Sequence, residues 1–391
     1  MSFYPPVRTL MGPGPSDVYP RVTEALSRPT IGHLDPEFIR LMDETKALLQ
    51  YAFQTKNQLT LAISAPGSAG MEACFVNLLE PGDKAIVCQN GVFGGRMKEN
   101  VERCGAEAIM VSDDWGSAIS LDKLETTIKN NTDAKLIAFV HAETSTGVKS
   151  DAKAICELAN ANGMLSIMDT VTGLGGINVA VDQWQADAVY SGTQKCLSCV
   201  PGLSPITFSS RAQAAIQARQ SKAQSWFLDM NLIMGYWGEG SKRAYHHTAP
   251  VNAIYALHEA LTILKSEGLE NSWARHELNH QALKAGLETL GLHLPVNASH
   301  RLPQLNAVSV PDGVDEARVR NYLLQDYDLE IGAGLGALAG KVWRIGLMGF
   351  SSRPSNVRLC LSALAAALGD QGHEVDALGA IQSADAIYST H

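Results

Sequence analysis

From Leu59 onward the chain alternates short apolar runs with longer amphipathic stretches, and this rhythm restricts its fold more than any other feature. The runs Leu59–Ile63, Lys84–Cys88, Ala106–Val111, Lys135–His141, Met164–Met168 and Asp187–Tyr190 have the length and composition of buried strands. Between them Gly70–Leu79, Gly94–Cys104, Leu121–Lys129 and Asp151–Asn160 follow helical spacing and are closed by Gly or Asn signals. Strand, helix, strand in repetition predicts an α/β domain with a mostly parallel sheet, whose ligand crevice opens at the carboxyl ends of the strands.

Upstream, Asp35 followed by Pro36 opens an amphipathic helix to about Thr55, with Phe38, Met42, Leu49 and Phe53 on its apolar side. Beyond Pro250 the pattern changes to two long helices, Val251–Ser266 and Leu269–Leu290, then separated strands at Ala307–Val310 and Val342–Leu347, which predicts a smaller α+β domain. A length of 391 residues suits two domains. We place an N-terminal arm at 1–20, a large domain at 21–265 and a small C-terminal domain at 266–391. The tail Asp370–His391 is weakly patterned and is expected to be a loosely held extension.

A net charge of −9 without a Lys/Arg stripe argues against nucleic acid. No apolar run approaches a membrane span, and Met1-Ser2-Phe3-Tyr4-Pro5-Pro6 lacks a secretory leader's basic and apolar regions, so a cytoplasmic protein is expected. The seven cysteines form no secreted-type framework. Cys196 and Cys199 make a single CxxC; zinc would need two further ligands, and a chance pair beside a turn is the better reading. Adjacent His246 and His247 are expected to splay apart on the backbone, and no metal is assigned.

The chemistry concentrates at strand ends. Asp187-Ala-Val-Tyr-Ser-Gly-Thr-Gln-Lys195 is an apolar strand running into a small-residue turn that delivers one lysine, the arrangement an aldehyde cofactor needs if the amine is to be neutral and nucleophilic. Met164-Leu-Ser-Ile-Met-Asp169 ends in a carboxylate placed to hold a protonated pyridine nitrogen, which makes the ring an electron sink. Alone, the lysine reads as solvated and the aspartate as a turn residue; together at neighbouring strand ends they point to one site. Ser64-Ala-Pro66-Gly67-Ser68-Ala-Gly70 follows a strand and opens a helix, so it is either a phosphate cradle or a plain β-to-α turn. Arg344 interrupts an apolar strand and requires an anion, either a substrate carboxylate or a structural partner. Gly332-Ala-Gly334-Leu-Gly336 lacks the following helix of a dinucleotide loop.

In order along nearly the whole chain, Leu10-Met-Gly-Pro-Gly-Pro-Ser16, Leu79-Glu-Pro-Gly-Asp83, His141-Ala-Glu-Thr-Ser-Thr-Gly147, Asp169-Thr-Val-Thr-Gly-Leu-Gly-Gly176, Ser191-Gly-Thr-Gln-Lys195, Tyr245-His-His-Thr248 and Gly340-Lys-Val-Trp-Arg-Ile-Gly-Leu347 resemble the class V aminotransferases of fold type I, and within them the alanine–glyoxylate and serine–pyruvate aminotransferases. The resemblance implies a pyridoxal 5'-phosphate enzyme with a seven-stranded, mostly parallel sheet. It implies that Lys195 carries the cofactor and shuttles the α-proton, that Asp169 pairs with the ring nitrogen, and that Val171 and Phe93 pack on its two faces. Relatives often have Trp at Phe93 and His at Ser68. Pro66, Gly67, Ser68 and Gln194 are implied for the phosphate, helped by Tyr245 and Thr248 from a partner subunit, with Thr144 near the ring oxygen. Arg344 is implied to clamp the substrate carboxylate, with Gly14, His33 and Thr144 beside the substrate. A homodimer with shared sites is implied, its N-terminal arm before Pro20 lying on the partner.

The expected reaction is ping-pong transfer of an amino group from alanine or serine to glyoxylate or pyruvate. Ureidoglycine is the alternative donor; relatives acting on it tend to carry Gln near His33 and Asn at Tyr245, and this chain has neither. A cysteine desulfurase-like lyase is a further rival on the same fold, and a cofactor-free binding protein fits only if Lys195 is idle.

Overall fold

The computed structural model describes residues 2–238 and 243–390. Its centre is a seven-stranded sheet made of β1 (Leu59–Ile63), β2 (Lys84–Gln89), β3 (Glu107–Ser112), β4 (Leu136–Val140), β5 (Leu165–Asp169), β6 (Ala188–Tyr190) and β7 (Ser204–Phe208), in the spatial order β1-β7-β6-β5-β4-β2-β3. All neighbours pair in parallel except β7, which is antiparallel to both β1 and β6. Every residue of β1, β4, β5, β6 and β7 is buried, which is why these strands read as continuous apolar runs and not as alternating ones. The strand β7 was not foreseen, and the helix after β1 begins at Gly67, one turn earlier than the spacing predicts.

Helices α1 (Pro36–Phe53), α2 (Gly67–Leu78), α3 (Val92–Arg103), α4 (Leu121–Asn130) and α5 (Ala152–Ala161) accompany the sheet. Local chemistry fixes their starts. Asp35 accepts from the Glu37 amide with Pro36 at the first helical position, and Asp151 accepts from the Ala154 amide. Gly70 is required by packing: a Cβ there would lie 2.0 Å from Ser204 Oγ and 3.3 Å from Tyr190 Cβ, so only a bare Cα lets α2 press onto β6 and β7.

Helix α6 (Val251–Glu267) meets α7 (Leu269–Thr289) at Gly268, whose φ of 88° turns the chain. Beyond it a three-stranded antiparallel sheet forms from β8 (Leu305–Ser309), β9 (Gly332–Ala333) and β10 (Val342–Gly346), with β10 in the middle. One apolar core surrounds the large sheet and extends to Leu269; a second gathers Met11 with residues from Ala282 to Ala384.

Two expectations are corrected. The tail is not a loose extension: Ala377–Ser389 forms helix α9, capped by Asp376, which packs Ala380 and Ala384 into the second core against α7 and α8 (Pro354–Gly369). Nor does the whole N-terminal arm leave the chain. Thr9–Leu10 pairs in parallel with Leu329–Glu330, Met11 is fully buried, and Ser16 hydrogen-bonds to the backbone of Gln194 and Lys195. Of the described arm, only residues 2–7, with exposed Phe3, Tyr4 and Val7, stand away from the body.

Candidate active site

The carboxyl edge of the parallel sheet holds a cavity of about 180 Å³. Strand β5 delivers Asp169 to it, the turn after β6 delivers Gln194 and Lys195, and the start of α2 delivers Pro66, Gly67 and Ser68. Phe93 enters from the first turn of α3, while Val171 and Thr144 enter from loops after β5 and β4. Lysine and carboxylate therefore share one enclosed space, as neighbouring strand ends of a parallel sheet require.

Burial dominates the electrostatics. It pushes the Lys195 amine down to about 8, reinforced by repulsion from Arg344, so roughly a tenth of it is neutral at pH 7. The amine donates to the carbonyl of Pro13 in the N-terminal arm. Gly14 is part of this contact: its φ is +109°, and a Cβ would sit 2.4 Å from Lys195 Nζ. Burial also lifts Asp169, to about 7, against two donors that favour its charged form. These are the Val171 amide on Oδ1 at 2.8 Å and the Tyr190 hydroxyl on Oδ2 at 2.7 Å.

The start of α2 has no side-chain cap, and the first amides of a helix lack carbonyl partners within it, so this end of the cavity suits an anion. Gln194 Oε1 is buried without a partner. An amine at one side, a carboxylate at another and an uncapped helix start fit a phosphorylated pyridine aldehyde. Glu143, buried beneath the wall, accepts from Ser145 N at 3.0 Å, Ser145 Oγ at 2.6 Å and Phe93 N at 3.2 Å, which fixes where the Phe93 ring stands.

Arg344 lies on β10, only 7% exposed. Nε donates to Ala333 O at 2.7 Å and Nη1 to Thr144 O at 3.1 Å. Among the described residues no carboxylate lies within ion-pair distance of it, so the structural salt bridge considered from sequence is not formed. Burial lowers its pKa to about 10, with Glu143 opposing.

The other expected residues lie outside this cavity. Tyr245 is 65% exposed and Thr248 is also exposed. His33 packs beside Tyr245 at 5.3 Å between ring centroids, with its Nε2 buried and unpartnered. His246 and His247 do not splay apart as expected: their Nδ1 atoms are 2.8 Å from each other, and His247 Nε2 reaches Ser64 Oγ at 2.7 Å. Cys196 and Cys199 are buried free thiols, with burial holding each pKa near 12. Tyr190, Glu143 and Arg96 went unrecognised as site residues. A lone phenol in a strand of small residues was the available signal for Tyr190, and a carboxylate inside a small polar turn was the signal for Glu143. Arg96, on α3 one turn after Phe93, lines the cavity with its guanidinium 4.9 Å from that ring's centroid.

The family description "Aminotransferase class-V" matches residues 16–355. An alanine–glyoxylate aminotransferase from Nostoc sp. has a solved structure 46% identical to this chain, with a TM-score of 0.92 over 94% of this chain and 97% of its own. The solved ureidoglycine–glyoxylate aminotransferase of Bacillus subtilis is 38% identical with a TM-score of 0.97, covering all of both chains. The alanine–glyoxylate aminotransferase of Oryctolagus cuniculus is 41% identical over 93% of each chain. With the lysine, the carboxylate and an uncapped helix start in one cavity, the chain belongs to the class-V aminotransferases, pyridoxal-phosphate-dependent enzymes of fold type I.

Proposed function

We propose that the chain transfers an amino group from alanine or serine to glyoxylate or pyruvate, with Lys195 and Asp169 as its catalytic residues. The single observation that carries this reading is that the Lys195 amine and the Asp169 carboxylate line one cavity whose other wall is an uncapped helix start. When bound, pyridoxal phosphate supplies an aldehyde for amine capture and a ring that accepts electrons from the substrate's α-carbon. Lys195, partly neutral because it is desolvated, takes the α-proton and returns it. Asp169, with Tyr190 and the Val171 amide on its oxygens, holds the ring-nitrogen proton. Gly67, Ser68 and Gln194 bind the phosphate, with Pro66 at the loop edge. Phe93 and Val171 close the ring faces, and Thr144 holds the ring oxygen. Arg344 presents its Nη2, without a partner among the described residues, to the substrate carboxylate, with Gly14 shaping the space around Lys195.

We further propose a homodimer in which Tyr245 and Thr248 complete the partner's phosphate site and His33 borders the substrate. The support is the exposure of Tyr245 and Thr248, together with that of Trp226, Phe3, Tyr4 and Val7. The small domain comprises residues 266–391 in this reading, and the enzyme is cytoplasmic. Among the described residues no helix is long and apolar enough to cross a membrane.

Ureidoglycine is the second reading, favoured by the full-length match to the Bacillus subtilis enzyme. A desulfurase is disfavoured because such chemistry needs a mobile exposed thiol, whereas every cysteine here is buried. Borohydride reduction of the holoenzyme followed by peptide mapping is expected to trap Lys195. Alanine, serine and ureidoglycine are then each paired with glyoxylate and pyruvate and the products identified by mass spectrometry. Sulfur release from cysteine with no amino transfer from any donor refutes the proposal.

A further inference from the structure

Tyr190 is fully buried, and a phenol hydroxyl taken out of water needs a partner. Among the described residues its sole hydrogen bond is the 2.7 Å donation to Asp169 Oδ2. The contact is imposed by the sheet: β5 and β6 are parallel, and Asp169 is directly paired with Tyr190, so the two side chains leave the same face side by side. At the base of this side chain α2 lies close because Gly70 is bare: a Cβ there would stand 3.3 Å from Tyr190 Cβ. The second oxygen, Oδ1, is pinned by the Val171 amide. Both carboxylate oxygens are thus held by donors fixed to the backbone or to a packed ring.

The groups facing Asp169 make this bond matter. Glu143, from the segment after β4, adds a second buried carboxylate, and Cys74 approaches from α2. Lys195, after β6, supplies the opposing positive charge. Desolvation and Glu143 both press Asp169 toward the protonated form, while Tyr190, the Val171 amide and Lys195 oppose them.

Resting on the cofactor reading above, we infer that Tyr190 is a positioning residue whose hydroxyl favours the ionised form of Asp169 and fixes the orientation of its carboxylate. It touches neither the substrate nor the reacting carbon in this scheme. Losing a hydrogen bond to a buried charged acceptor is expected to raise the Asp169 midpoint by about one to two pH units.

The test uses the full chain, freed of cofactor and then reconstituted. Carbon-13 NMR of aspartate-labelled protein, with Asp169→Asn to assign the signal, gives the Asp169 midpoint directly. Tyr190→Phe is expected to move it upward by that amount. Replacing Tyr190 with 3-fluorotyrosine, a stronger donor of the same shape, is expected to move it downward. Upon reconstitution Tyr190→Phe is expected to bind pyridoxal 5'-phosphate more weakly at pH 7 and to approach the unaltered affinity at pH 9. An unmoved midpoint in either variant overturns the inference. Failure of the cofactor reading looks different: borohydride traps no cofactor on Lys195 while the Asp169 titration still responds to Tyr190.

Discussion

Arg344→Gln isolates the substrate clamp from the rest of the site. The unaltered guanidinium spends Nε on Ala333 O and one Nη1 hydrogen on Thr144 O, leaving Nη2 with no protein partner among the described residues. A substrate carboxylate therefore meets up to two N–H donors carrying full charge in a desolvated setting, each worth about 1.5–3 kcal/mol. Glutamine keeps part of the shape and loses the charge, so about 3–5 kcal/mol of binding disappears, or roughly a 10²- to 10⁴-fold fall in kcat/KM. The free protein is not expected to suffer comparably, because Arg344 has no carboxylate to strand and its own burial is costly. The variant also removes a positive charge that depresses Lys195, so the Lys195 amine is expected to titrate at higher pH. Steady-state kinetics with alanine, compared with single-turnover rates for an amine lacking a carboxylate, separate the clamp from general damage. A loss below about tenfold, less than one charge-assisted bond, refutes the assignment, as does an equal loss for the carboxylate-free amine.

Three further outcomes are expected. Gly14→Ala places a Cβ against Lys195 in a backbone region that costs about 1–3 kcal/mol for a non-glycine residue, so borohydride trapping at Lys195 slows and thermal stability falls; unchanged trapping counts against the arm shaping the lysine. Gly70→Ala forces α2 off β7 and costs about 1–3 kcal/mol of stability, read by denaturant titration, and Ser204→Ala in the same chain recovers part of it. His276 accepts from Gly349 N and donates to Ser272 O, and burial holds its pKa down to about 3, below the unfolded value of 6.5. Its unfolded form binds more protons as pH falls, so stability is lost below about pH 6.5, by about 2 kcal/mol at pH 5. Asp169, raised to about 7 when folded, acts with the opposite sign over the same range. The difference between His276→Asn and the unaltered chain cancels Asp169 and is expected to shrink by about 2 kcal/mol from pH 7.5 to pH 5.

The parallel sheet was legible because its strands are buried on both faces and carry no alternation. Lys195 and Asp169 were legible because strand ends converge at one edge. Strand β7 was hidden by Pro205, which argues against a central strand; Pro205 O still accepts from Ser191 N, and Ser191 O takes the Ser204 hydroxyl in place of the missing amide. Helix α9 was hidden because its buried side chains are Ala380 and Ala384, too small to mark an apolar stripe, yet small enough for close packing beside Gly286. The docked arm was hidden because backbone pairing of Thr9–Leu10 leaves no periodic trace. Tyr190 and Glu143 act through other residues, and only a folded arrangement reveals what they touch.

The arm also bears on how the enzyme matures. Arg8 finds its acceptor on Leu324, 316 positions later, and Leu10 is held by Ser351, 341 positions later. Pro13 and Ser16, which flank Lys195, thus belong to a segment made more than three hundred positions before the residues that seat its outer end. Contacts this remote in sequence close slowly. A nascent chain that has not yet reached Leu324 can build the large sheet while the arm's partners in the small domain are still missing, so the arm is seated at both ends only once that domain has been made.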